Sequence, residues 1–159
     1  MRHSVKTGIS FGLTSAVITT LGLMVGLTSG TRSEEVVIGG VLTIALADAF
    51  SDSLGIHISE EAEGKHTPKE IWLATVSTFC SKLGVGSMFI VPILFLSLDM
   101  AAIINIVWGF FLLGGFSFYV GSLKEGNPWN VVFEHLLTAT IVIVAAHFLG
   151  SWVSNILNS

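Results

Sequence analysis

Five long apolar runs, separated by short polar punctuation, leave this chain few folds to choose from. They cover roughly residues 8–27, 35–58, 70–98, 99–123 and 128–157. A hydrocarbon core of about 30 Å takes about 20 apolar residues per helix, and every run is long enough. Inside lipid no water is available to the backbone, so each run must satisfy its own N–H and C=O groups as a helix. Only 11% of residues are charged and 52% are hydrophobic, with mean hydropathy +0.81, whereas soluble domains carry about 25% charged residues. The expectation is an all-α polytopic protein with five transmembrane helices, a single domain over 1–159, surrounded by membrane lipids. A net charge of −4 offers no basic patch for nucleic acid. The single cysteine, Cys80, excludes an intrachain disulfide and a Cys-based metal cluster.

The ends of the runs carry helix signals. Ser33 with Glu34 and Glu35 suits a helix N-terminus. Thr67-Pro68-Lys69-Glu70 combines an N-cap, a proline in the first turn and a capping-box glutamate. Asp99 can cap the fourth helix, Asn127-Pro128 opens the fifth, and Pro92 should kink or break the third. The first run, about 20 residues, exceeds the 7–15 residues of a signal-peptide core and lacks an A-x-A-like cleavage site, so it reads as a membrane helix. Arg2, Lys6, Lys65, Lys69 and Lys124 fall on one side and only Arg32 on the other. That bias places the N-terminus in the cytoplasm and the C-terminus outside.

Inside the second run stand Asp48 and Asp52, four residues apart and therefore on one helix face. Gly55, Ser59 and Glu63 follow close to the same face, making a small, acidic stripe from mid-helix to one end. An aspartate at a membrane helix centre costs roughly 2.5–3.5 kcal/mol on insertion scales, and such groups mark functional sites by default. Two carboxylates this close can hold a divalent ion or share a proton. Ser15, Cys80, Lys82, Glu134 and His135 fall, like the aspartates, in the cytoplasmic half; His147 does not. A cavity open to the cytoplasm would account for that grouping. Lys82 reads either as an internal counter-ion for Asp48 or Asp52, or as a side chain that snorkels to the surface. Glu134 is either its structural partner or a path residue. His147 reads as an interhelical hydrogen bonder, His57 lies opposite Asp48 and outside the site, and Cys80 reads as a small core residue. Gly8 with Gly12, and the tandem Gly22, Gly26 and Gly30, have the G-x-x-x-G spacing that lets helices approach closely. They put the first helix at a helix–helix contact, within the subunit or between subunits. No nucleophile–base pair, phosphate-binding glycine loop or H-E-x-x-H pattern is present, so no enzyme is expected.

The segments ITTLGLMVG (18–26) and ALADAFSDSLGIHISEE (45–61) resemble the first- and second-helix motifs of the vacuolar iron transporter family. The stretch from Leu83-Gly84 to Pro92, and the order Gly121, Asn127-Pro128, Glu134, Gly150, are similar to its last three helices. The resemblance implies a homodimer of five-helix subunits that moves Fe²⁺ or Mn²⁺ out of the cytoplasm in exchange for protons. It implies a path at the dimer interface lined by the first two helices, here Ser15, Thr19, Gly55 and Ser59. Carried over by position, the family's first-helix Asp falls at Ser15, its Met at Asp48 and its Glu at Asp52. Exchanging a thioether for a carboxylate hardens the site toward Mn²⁺, Mg²⁺ or Ca²⁺. The family's Glu-rich cytoplasmic insert is missing. Glu60, Glu61, Glu63 and His66, in the short linker 59–70, are either a remnant of that metal collector or a solvated acidic loop.

The expected function is divalent metal cation transport out of the cytoplasm by proton exchange, with Asp48, Asp52, Lys82 and Glu134 coupling charge. The metal is the substrate and no resident cofactor is expected. The alternatives are a transport-inactive membrane protein of the same fold, with Lys82 neutralising the acids, and a passive channel. For a prokaryotic chain the site would be the cell membrane.

Overall fold

Local signals set where each helix begins and ends. The computed structural model describes residues 2–123 and 125–157; Lys124 and the side chain of Arg2, both counted above for orientation, lie outside the described residues. The helices are α1 (Arg2–Thr31), α2 (Glu34–Glu63), α3 (Pro68–Met88), α4 (Ile90–Phe95), α5 (Leu98–Ser122) and α6 (Pro128–Leu157), and no strand occurs among the described residues. Five stretches are long and apolar enough to cross a membrane, with α3 and α4 together, Pro68–Phe95, forming the third.

Ser33 takes an extended backbone and its Oγ accepts the Val36 N–H at 3.3 Å, which starts α2. The capping box forms as well: the Thr67 N–H donates to the Glu70 carboxylate at 3.0 Å, and Thr67 Oγ1 accepts the Glu70 N–H. At the other end of α2 the expectation fails. The helix does not stop near Ile58 but runs to Glu63, because nothing between Ile58 and Gly64 breaks it. Gly64, at φ 65°, ends the helix in the left-handed conformation that glycine takes without steric cost. Glu60, Glu61 and Glu63 therefore lie on the last turns of α2 rather than in a loop. Ser97, not Asp99, occupies the N-cap of α5, and Asp99 sits inside its first turn.

The third span breaks at Phe89. Pro92 has no N–H to give to the carbonyl four residues back, so the ladder is interrupted there. Asn105, fully buried on α5, ties the broken segment to α5 by donating its side-chain amide to the Phe89 carbonyl at 2.8 Å. Its Nδ2 also lies 3.1 Å from Met24 Sδ on α1. Replacing Asn105 with leucine removes that bond, while the Phe89 carbonyl keeps its place at the start of α4. The expected loss is about 0.5–1.5 kcal/mol, read as a lower unfolding midpoint in detergent.

Helix α1 is the central element, packed on α2, α3, α5 and α6. Val17, Leu21 and Met24 of α1 form the core with Val37 and Val41 of α2, Phe89 and Leu113. The glycines explain the close approach. A Cβ on Gly12 would come within 2.8 Å of the Thr78 carbonyl oxygen, and one on Gly150 would overlap the Gly26 carbonyl. Gly30 meets the Gly150 backbone in the same way. The tandem glycine face of α1 thus packs against α6 of the same chain, so the close contact the spacing called for is made within the subunit. Large apolar side chains such as Phe50, Phe111, Phe133 and Phe148 remain exposed on the outer helix faces, as lipid-facing residues do.

Candidate functional site

Asp48 is the fifteenth of the thirty residues of α2, close to the middle of the span. One turn on, Asp52 shares its face. Opposite them Lys82 rises from α3, and Ser15 from α1 completes the group. The Lys82 side chain is 2% exposed, so it does not snorkel to a surface; it is the internal counter-ion. Its Nζ lies 3.0 Å from Asp48 Oδ2 and in direct contact with Asp52 Oδ2. It also donates to Ser15 Oγ at 2.8 Å, and the Ser15 hydroxyl donates in turn to Asp52 Oδ2 at 2.8 Å. The ammonium thus hydrogen-bonds Ser15 and Asp52 and is ion-paired with Asp48 as well. Two carboxylates and a hydroxyl from α1 and α2 therefore converge on one point, and a cation fills it. The group carries a residual charge of −1, from two carboxylates and one ammonium. Each aspartate side chain keeps 23% of its surface exposed on the single chain.

The other expected site residues divide. Thr19 lies one turn beyond Ser15 and donates to its carbonyl at 2.9 Å; it lines a groove between α1 and α6 rather than touching the acids. Gly55 and Ser59 are exposed along the stripe below Asp52. Glu60 is buried, and its carboxylate lies 3.4 Å from His66 Nε2; Glu63 is 3.9 Å from the same nitrogen, while Glu61 faces outward. Among the described residues no group of three or more His, Cys, Asp or Glu is placed to hold a metal ion. Glu134 is exposed on α6 and has no ion pair with Lys82, so it is not part of the group. Cys80 is exposed rather than a core residue.

The membrane-embedded histidines have one common role. His57 pairs with Thr75 at 2.9 Å, His135 with Ser117 at 2.7 Å and His147 with Ser29 at 2.7 Å. Each joins two helices through a hydroxyl, and none touches the lysine cluster. Asn105 was missed from the sequence, although a lone amide in an apolar run was the available signal. In comparisons with known proteins, no family model and no curated protein matches the chain.

Proposed function

We propose that the chain is a multi-pass carrier of divalent cations of the iron and manganese type, moving them out of the cytoplasm in exchange for protons. The observation that carries the reading is the convergence of Asp48, Asp52 and Ser15 oxygens on one point already occupied by a cation. Hard divalent ions take that kind of oxygen set, with water supplying further ligands. Lys82 is then the resident cation of the unloaded state. Metal entry displaces its ammonium, and with the lysine neutral the two carboxylates balance the metal's charge, from −1 to zero. Loading therefore releases the proton that leaves the Lys82 ammonium, which couples metal to proton movement. A second copy of the chain would cover the exposed quarter of each aspartate, which lipid would otherwise face at a cost; a homodimer is part of the proposal.

A second reading has its own support. Burial of Lys82 among Ser15, Asp48 and Asp52 also describes a permanent pin joining α1, α2 and α3, with no transport. Proteoliposomes loaded with a metal-quenched dye separate the two. The carrier reading expects Mn²⁺ entry above protein-free liposomes, accelerated by a pH gradient, and abolished in Asp52→Asn. Wild-type entry no faster than in empty liposomes would leave only the pin.

A further inference from the structure

About 20 Å along α1 from the lysine cluster, at 1.5 Å per residue, lies a cavity of about 270 Å³ between the ends of α1 and α6 and the start of α5. Thr28, Ser29, Arg32, Asp99, His147 and Ser151 line it, over an apolar floor. Three observations mark it as built for something. Arg32 has φ 52°, the one positive φ of a non-glycine residue among those described. An arginine thus holds a left-handed helix-end position that glycine would take without steric cost. Arg32 and Asp99, both exposed, share the cavity, and neither has an ion-pair partner among the described residues. Finally, the Thr28 hydroxyl is buried without a hydrogen-bond partner, whereas Thr31 beside it satisfies its own on the Leu27 carbonyl at 2.9 Å. The Ser29–His147 bond fixes the cavity wall by tying α1 to α6.

We propose that this cavity binds a phospholipid headgroup of the phosphoethanolamine type. A guanidinium suits a phosphate, and the carboxylate of Asp99 suits an ammonium. A site holding both charges unpaired rejects a metal cation through Arg32 and a simple anion through Asp99, and accepts a zwitterion. The volume falls just below the about 300–1,000 Å³ of drug-sized ligand sites, so the occupant is small. Its position at the end of three spans is the level of headgroups. A primary ammonium can donate hydrogen bonds to Asp99. A choline group cannot, and the lining has no Phe, Tyr or Trp to hold it by its charge alone.

The test is thermal unfolding of the purified full chain in detergent, with native mass spectrometry to count bound lipid. Phosphatidylethanolamine, phosphatidylcholine and soluble phosphoethanolamine are added in parallel. The expected result is a preference for phosphatidylethanolamine over phosphatidylcholine of about tenfold, roughly the worth of one charge-assisted hydrogen bond, with no matching shift from the soluble headgroup. Arg32→Gly relieves the backbone, so it should unfold no earlier than wild type without lipid, yet lose the lipid-dependent shift. Asp99→Asn should level the two lipids. Equal shifts from both lipids in wild type, an undiminished shift in Arg32→Gly, or full binding of soluble phosphoethanolamine would each overturn the proposal.

Discussion

Lys82→Met should cost the fold about 3–5 kcal/mol, the range for removing one partner of a buried ion pair. Methionine keeps most of the volume of the lysine stem, so packing survives and the loss is electrostatic. Asp48 and Asp52 are left one turn apart with no ammonium between them, and the Ser15 hydroxyl can satisfy only one of them. The expected remedy is to neutralise the whole group. A chain with Lys82→Met, Asp48→Asn and Asp52→Asn should recover most of the stability, because exchanging a complete buried ion group for neutral side chains is often close to neutral. Unfolding by a denaturing detergent, followed by tryptophan fluorescence, compares the three proteins. An unchanged midpoint for Lys82→Met would mean that the ammonium holds nothing. The restored triple variant also serves the functional question. It should be folded and carry no metal; metal entry at the wild-type rate would remove Asp48 and Asp52 from the path.

What the sequence made legible was depth, and what it hid was direction. Twenty apolar residues and a cap fix a span along the membrane normal, so the five spans and the Thr67 and Ser33 caps were readable. Ser15, Asp48, Asp52, Lys82 and Glu134 were all placed at similar depth. Only the rotation of each helix about its axis decides which of them meet, and hydropathy carries little of that when most faces are apolar. Lys82 turned inward to the aspartates, whereas Glu134 turned outward. The break at Phe89 was foreshadowed by Pro92, but the Asn105 bond across it required α5 to pack against it, a contact sixteen residues away in sequence. The end of α2 was misplaced for a different reason. Apolarity stops at Ile58, while the helix continues through residues that propagate helix equally well in water, and only Gly64 marks its end.

The glycine spacing was readable too, but not its partner, and that partner decides what a substitution does. Gly150→Leu is expected to reach or exceed the upper end of the about 1–3 kcal/mol typical of overpacking. A Cβ there already overlaps the Gly26 carbonyl oxygen and would come within 3.1 Å of the Gly30 nitrogen. Those are backbone atoms, so no rotamer change can make room, and α6 must move away from α1. Between helices in lipid no hydrophobic force compensates, since close van der Waals packing is itself the attraction. Gly39→Ala and Gly55→Ala supply the control, because a Cβ at either meets nothing within 4 Å; each should gain up to about 1 kcal/mol from helix propensity. The same variants test where the glycines act. Since α6 of the same chain fills the α1 glycine face, Gly150→Leu should lower the unfolding midpoint of the subunit itself, whatever its state of association. A variant that unfolds like wild type but passes from dimer to monomer in chemical cross-linking would instead place those glycines between subunits.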